Sequence, residues 1–214
     1  MKTYLFDFDG TLVDSMPNYA SAMLRILDEN NVPYGSDIIK IIAPLGVAGT
    51  AEYFIQMGLK MSFDEIIAVM KRYMVEGYLY HIPAKKNVIS ALETLKQQGA
   101  SLNILSAGPH ITIDPCLKRL GIYDWFDHIW STDDFGIPKS DPAVYRLAVE
   151  KLGVKEENVL FCDDNLHAVK TAKAAGLTVC GVYDESSKEY AEEMKAAADY
   201  YIQDFSELLA TGGK

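Results

Sequence analysis

The sequence predicts an α/β fold, a doubly wound parallel sheet interrupted by a helical insert, and three observations carry that prediction. Short apolar runs rich in β-branched and aromatic residues read as buried strands. Helix-length segments lie between them, and strand followed by helix followed by strand implies a parallel sheet covered on both faces. One stretch, from about Ser15 to Tyr80, carries helical spacing with no strand signal.

Residues 3–6 form the first expected strand. Asp14 or Ser15 can then cap a helix with Pro17 in its first turn, and Ala20, Met23, Leu24 and Leu27 follow at helical spacing. Further helical patterns at residues 38–42, 51–57 and 63–76 complete the insert. Its joints fall near residues 14–17 and 81–86, where prolines and polar residues cluster. The expected organisation is a core of residues 1–14 and 82–214 around a helical domain of residues 15–81. In the core, strands at residues 102–105, 128–131, 159–162, 178–183 and, more weakly, 200–202 alternate with helices at 88–98, 111–120, 142–152, 168–175 and 188–197. Gly99, Gly121, Gly153 and Gly176 stand where a left-handed cap ends a helix.

At roughly 100–200 residues per domain, 214 residues suit one full domain with a smaller inserted module. Hydrophobic residues make up 49% and charged residues 23%, enough apolar material for a core, which excludes disorder and collagen-like structure. Lys+Arg number 20 against 30 Asp+Glu, a net charge of −10. Nucleic acid and anionic membranes are therefore not expected partners, because phosphate backbones are held mainly by Lys and Arg. A small anion at one local site remains compatible. Cys116, Cys162 and Cys180 show neither a CxxC spacing nor an even count, so neither a disulfide framework nor a structural zinc site is expected. Acidic residues appear by position 7, too early for a signal peptide, and no run approaches the 18 apolar residues of a membrane span. The expectation is a soluble, unprocessed cytoplasmic protein, monomeric by default, with a dimer through the insert as the alternative.

Ligands of an open parallel sheet gather outside the carboxyl ends of its strands. The first strand ends in Asp7-Phe8-Asp9-Gly10-Thr11, where alternation puts Asp7 and Asp9 on one side and Gly10 allows a sharp turn. The second ends in Ser106-Ala107-Gly108, a hydroxyl followed by amides free to face an anion. The loop after the third carries Lys139 just before a helix, and the fourth ends in Asp163-Asp164-Asn165. Alone, each is an ordinary loop or cap feature. Together, four acids, a hydroxyl and a lysine at successive strand ends make a candidate active site. Like charges about 4 Å apart repel by about 4 kcal/mol per pair at an effective dielectric near 20, so such a group of carboxylates calls for a divalent, oxygen-seeking cation, Mg²⁺ above all.

These motifs resemble the haloacid dehalogenase-like hydrolase superfamily, in the branch with a helical cap after the first strand, similar to phosphoglycolate phosphatases and β-phosphoglucomutases. DFDGTLVDS carries the resemblance most specifically, with LSAG, GIPKSDPAVY and LFCDDNLHAVKTAKAAG as the later motifs. The resemblance implies a Rossmann-like core and a two-step phosphoryl transfer. Asp7 would attack phosphorus to form an aspartyl phosphate, and Asp9 would protonate the leaving alcohol and then deprotonate the attacking water. It also implies Mg²⁺ on the Asp7 carboxylate, the Asp9 carbonyl and Asp164, with Asp163 either a further ligand or an acid behind the ligands. Ser106 and Lys139 would hold the transferring oxygens, with Gly10, Thr11, Ala107 and Gly108 around the phosphate.

Ala107 stands where relatives usually carry a polar residue, and Ala168 where many carry a further aspartate. Residues 44–50, with Gly46 and Thr50, resemble the cap loop that contacts substrate, and an ordinary turn between helices explains them equally well. Arg25 and Arg72 read as a solvated helix face, and the stripe of Met70, Tyr73, Met74, Tyr78 and Tyr80 reads as core of the insert. The expected function is a Mg²⁺-dependent phosphatase acting on a small phosphate monoester of a metabolite. A phosphomutase of the β-phosphoglucomutase type is the nearest alternative, and a non-catalytic phosphoacceptor module is the second.

Overall fold

The structure is a computed structural model that describes residues 2–211. The elements run β1 (Thr3–Phe6), α1 (Met16–Glu29), α2 (Ile38–Ile42), α3 (Gly46–Gln56), α4 (Phe63–Tyr80), α5 (Val88–Gln97), β2 (Ser101–Ser106) and α6 (His110–Leu120). They continue with β3 (His128–Ser131), α7 (Pro142–Leu152), β4 (Val159–Asp163), α8 (Leu166–Ala174), β5 (Thr178–Val182), α9 (Ala191–Ala197), β6 (Tyr200–Ile202) and α10 (Leu208–Thr211). Two compact units divide the chain, one of residues 1–14 and 83–214 and the other of residues 15–82.

The first unit is a six-stranded sheet in the order β3-β2-β1-β4-β5-β6, with every neighbouring pair parallel. The chain builds outward from β1 through β2 to β3, then crosses back to β4 and builds the other way. Strand order therefore reverses between β1 and β4, and at such a switch point the loops diverge and leave a crevice at the carboxyl ends. Register sets Phe6 opposite both Ile104 and Cys162, so the residues that follow Phe6 emerge beside the ends of β2 and β4. All four residues of β1 are buried because both sheet faces are covered. Leu5, Leu105 and Phe161 on the strands pack with Val144, Tyr145 and Ala148 of α7 and Val169 and Ala172 of α8.

The second unit has its own core. Ala22, Met23, Ile26 and Leu27 of α1 meet Phe54 of α3 and Ile66, Met70 and Tyr73 of α4. The α4 start is fixed by a capping box, in which the Ser62 hydroxyl accepts from the Glu65 N–H at 3.4 Å and the Glu65 carboxylate accepts from the Ser62 N–H at 2.8 Å. Arg25 ion-pairs with Glu29 at 2.8 Å and Glu76 at 3.1 Å, with its guanidinium 4.0 Å from the centre of the Tyr73 ring. Tyr80, expected in the core stripe, is instead 66% exposed; it is the last residue of α4, one turn past the expected end of that helix.

Several boundaries differ from expectation for local reasons. Residues 44–50 are not a loop: a 3-10 turn at Ala43–Leu45 leads directly into α3, which begins at Gly46. Residues Glu185–Tyr190 form a 3-10 turn capped by Asp184, and only Ala191–Ala197 continue as α-helix. Cys116, Cys162 and Cys180 are free and buried. Among the described residues, no helix is long and apolar enough to cross a membrane.

Candidate active site

The carboxyl ends of β1 and β4 deliver three carboxylates to one place. Oxygen atoms of Asp7, Asp163 and Asp164 lie within 4.8 Å of one another. Asp7 leaves β1 with its N–H on the Cys162 carbonyl at 2.8 Å, which continues the sheet pairing one residue past the strand. Gly10 then turns the chain at φ +76°, where a Cβ would stand 2.6 Å from Asp164 Oδ2. The glycine is thus needed twice, for its left-handed backbone and for room beside an acid of the site. Thr11 is fully buried, and its hydroxyl donates to Asp164 Oδ1 at 2.9 Å while accepting from the Asp164 N–H at 3.1 Å. Grouped in the sequence with phosphate contacts, Thr11 spends its hydroxyl on Asp164.

Lys139 reaches the cluster from the loop before α7. Asp141 caps that helix by accepting from the Ala143 N–H at 2.9 Å, and the Tyr145 hydroxyl holds the Lys139 carbonyl at 3.1 Å. The ammonium donates to Asp7 Oδ1 and, at 2.8 Å, to Asp163 Oδ2. These side chains are nearly enclosed, with Lys139 12%, Asp7 10% and Asp163 2% exposed. Asp163 also accepts from the Asn165 N–H at 2.7 Å, so both of its oxygens have protein donors.

With all three carboxylates ionised, one ammonium leaves a surplus of two negative charges (3 − 1 = 2). Burial pushes the Asp7 carboxyl well above the usual carboxylate range, opposed by Lys139 and reinforced by Asp163 and Asp164. Burial and the neighbouring Asp163 push Asp164 up to about 7. Burial alone would lower the Lys139 pKa, but Asp163 and Asp7 more than offset it and keep the lysine charged. An all-oxygen donor set with two surplus charges fits a hard divalent cation such as Mg²⁺, which takes carboxylate, carbonyl and water oxygens.

The end of β2 supplies the facing wall. Ser106 is buried and its hydroxyl accepts from the Gly108 N–H at 2.9 Å. A Cβ on Gly108 would stand 3.2 Å from Asp9 Oδ2 and 3.3 Å from Ser106 Oγ, which puts the Asp9 carboxylate beside this turn. Ala107 is exposed. Just beyond, His110 bridges Asp114 (Nδ1, 3.0 Å) and Asp134 (Nε2, 2.9 Å), and these carboxylates raise its pKa.

Gly46 and Thr50 belong to the other unit. There the Thr50 hydroxyl is buried and donates to the Gly46 carbonyl at 2.7 Å, one turn back in the same helix. Residues 44–50, expected either as a substrate-contacting loop or as an ordinary turn between helices, are a 3-10 turn followed by the start of α3, with Thr50 bonding within the helix.

Two residues near the site were missed from the sequence. Lys85 donates to the carbonyls of Gly10 and Tyr183, each at 2.6 Å, and to Asp184 Oδ2 at 2.8 Å. Asp184 lies just past β5, and carrying the inventory of strand ends on to the fifth strand would have singled it out.

A profile of the haloacid dehalogenase-like hydrolase family matches residues 4–182. The chain is 30% identical over 211 residues to the pyrophosphatase PpaX of Bacillus velezensis, covering 98% of this chain and 95% of that one. It is 29% identical over 226 residues to a phosphoglycolate phosphatase of Colwellia psychrerythraea, covering 97% and 95%. Its fold is similar to that of a Thermotoga maritima protein assigned as a beta-phosphoglucomutase, with a TM-score of 0.86 at 24% identity over 99% of this chain and 98% of that one.

Proposed function

The chain belongs to the haloacid dehalogenase-like hydrolase family, and from that premise we propose that it is a Mg²⁺-dependent phosphatase acting on a small phosphate monoester of a metabolite. The observation that carries this reading is the enclosed group of Asp7, Asp163 and Asp164 around Lys139, at the crevice where strand order reverses. Relatives named as a pyrophosphatase and a phosphoglycolate phosphatase support the phosphatase class.

In this reading an Asp7 oxygen attacks phosphorus. As the new O–P bond forms, the bond to the leaving alcohol breaks, and Asp9 gives that oxygen its proton. Water then attacks the phosphorus of the aspartyl phosphate, Asp9 takes the proton, and inorganic phosphate departs as the Asp7 carboxylate is restored. The Ser106 hydroxyl, the Ala107 amide and the Lys139 ammonium hold the oxygens of the transferring group. Lys139 also keeps Asp7 from being repelled by the acid pair. Asp7, the Asp9 carbonyl and Asp164 would hold Mg²⁺, with Asp163 fixing Lys139. When bound, the cation offsets the surplus charge of the pocket and so permits a phosphate dianion to approach.

The test is release of inorganic phosphate from a panel of small monoesters and diphosphate, with and without Mg²⁺, for the wild type and Asp7→Asn. The expected result is Mg²⁺-dependent release that Asp7→Asn abolishes. Release that survives in Asp7→Asn, or no release from any ester by folded, metal-loaded protein, overturns the reading.

A further inference from the structure

Lys85 donates its hydrogen bonds to none of the three clustered acids, although its charge acts on Asp164, and its ammonium is braced on three sides by groups distant in sequence. Its acceptors are the Gly10 carbonyl (2.6 Å), the Tyr183 carbonyl (2.6 Å) and Asp184 Oδ2 (2.8 Å). The pair is largely enclosed, with Lys85 17% and Asp184 5% exposed. We propose that Lys85, with Asp184 as its counter-charge, is a positioning residue for the reaction: it fixes the Asp9-Gly10-Thr11 turn and, through Thr11, the Asp164 carboxylate. The proposal rests on the phosphatase reading and assigns that site a further residue.

The route is short and each link is a hydrogen bond. The Gly10 carbonyl belongs to the peptide that joins Gly10 to Thr11, and Lys85 holds it with a charge-assisted bond, roughly twice as strong as a neutral one. The N–H of Gly10 is fixed on the Val13 carbonyl at 3.0 Å, so the turn is held at both ends of the glycine. Thr11 then grips Asp164 by its reciprocal pair of bonds.

A second route reaches the same acid. Asp184 also accepts from the Ser186 N–H at 2.9 Å, and the Ser187 hydroxyl of that turn donates to the Asp164 carbonyl at 3.3 Å. Lys85 thus braces together the turn after β1 and the turn after β5, both of which touch Asp164. Its own backbone is pinned, with its N–H on the Leu12 carbonyl and the Asp14 N–H on the Pro83 carbonyl, both at 3.0 Å. A lysine serving only solubility would not be enclosed with two backbone carbonyls as acceptors.

The test compares wild type, Lys85→Met, the milder Lys85→Gln, Asp184→Leu and the Lys85→Met/Asp184→Leu pair. Three readouts are taken: hydrogen exchange of the 8–14 and 163–167 segments in metal-free protein, Mg²⁺ affinity by calorimetry without substrate, and steady-state kinetics. Removing a partner that orients a ligand lowers metal affinity by about 10–100-fold. The expected result for Lys85→Met is faster exchange in both segments, Mg²⁺ binding weaker by about 10-fold or more, and a lower kcat with KM little changed. Lys85→Gln, which keeps a donor, should fall between, and the double variant should lose little more than Lys85→Met. Lys85→Gln carries the same comparison if Lys85→Met does not fold. Unchanged exchange and Mg²⁺ affinity in folded variants overturn the proposal, whatever the activity. A wild type that hydrolyses no ester overturns the phosphatase reading instead, while the exchange data still decide the role of Lys85.

Discussion

Asp164 is positioned by a neutral side chain, and that makes its role testable without altering charge. Thr11→Val keeps the shape of the side chain but removes the hydroxyl that both donates to and accepts from Asp164. The expected outcome is a loss of about 10-fold in Mg²⁺ affinity, measured calorimetrically on substrate-free protein, with the fold intact. Gly10→Ala should be worse, because φ is +76° and the new Cβ would stand 2.6 Å from Asp164 Oδ2. It should cost about 1–3 kcal/mol in urea unfolding, the range for a strained backbone position. His110 gives a separate test by pH. Asp114 and Asp134 raise its pKa above the unfolded value of about 6.5, so its stabilising bridge is present in full below that pH. It is lost as pH rises through the folded-state pKa, so His110→Gln should lower Tm at about pH 5 and leave it unchanged well above neutrality. The acids were legible in the sequence because they stand at the ends of two strands, and Lys139 because it lies just before a helix in the loop that follows a third. Lys85 was not, because two of its acceptors are backbone carbonyls, which no residue pattern records.

The inner strands β1, β2, β4 and β5 were legible because burial on both faces leaves short apolar runs, and boundaries were misread where a side chain or turn sets them. The eighth helix begins at Leu166, before its apolar pattern, because the Asn165 side chain accepts from the N–H groups of His167 and Ala168 at 2.9 and 3.1 Å. The third begins at Gly46 because the preceding 3-10 turn hands the chain straight into it. The fourth carries its signal openly as Ser62 followed by Glu65. Ser62→Ala should therefore cost about 1 kcal/mol, read as a shift in thermal or urea unfolding, and a neutral result would mean that the capping box adds nothing to α4.

At the scale of the whole molecule, the clustered acids couple metal binding to stability. Burial and the neighbouring Asp163 push the Asp164 carboxyl up to about 7, far above an unfolded aspartate near 3.9, and burial shifts Asp7 in the same direction. The folded state then holds protons that the unfolded state has released, so folding stability falls as pH rises between about 4 and about 7. On the proposed reading Mg²⁺ would reverse this by taking the ionised carboxylates as ligands, with release of protons. The rise in Tm on adding Mg²⁺ should be small at about pH 5 and grow toward about pH 8. An equal rise at both would contradict the coupling.

On the proposed mechanism Asp7 carries the phosphoryl group, and trapping it there is the sharpest test. Protein turning over a phosphate ester is quenched with acid, reduced with borohydride to convert an acyl phosphate to the alcohol, digested, and the peptide containing Asp7 weighed. The expected product is homoserine at position 7 in the wild type and unchanged asparagine in Asp7→Asn. Phosphate release from the wild type with Asp7 unmodified at every quench time, and with Asp7→Asn still active, would contradict it.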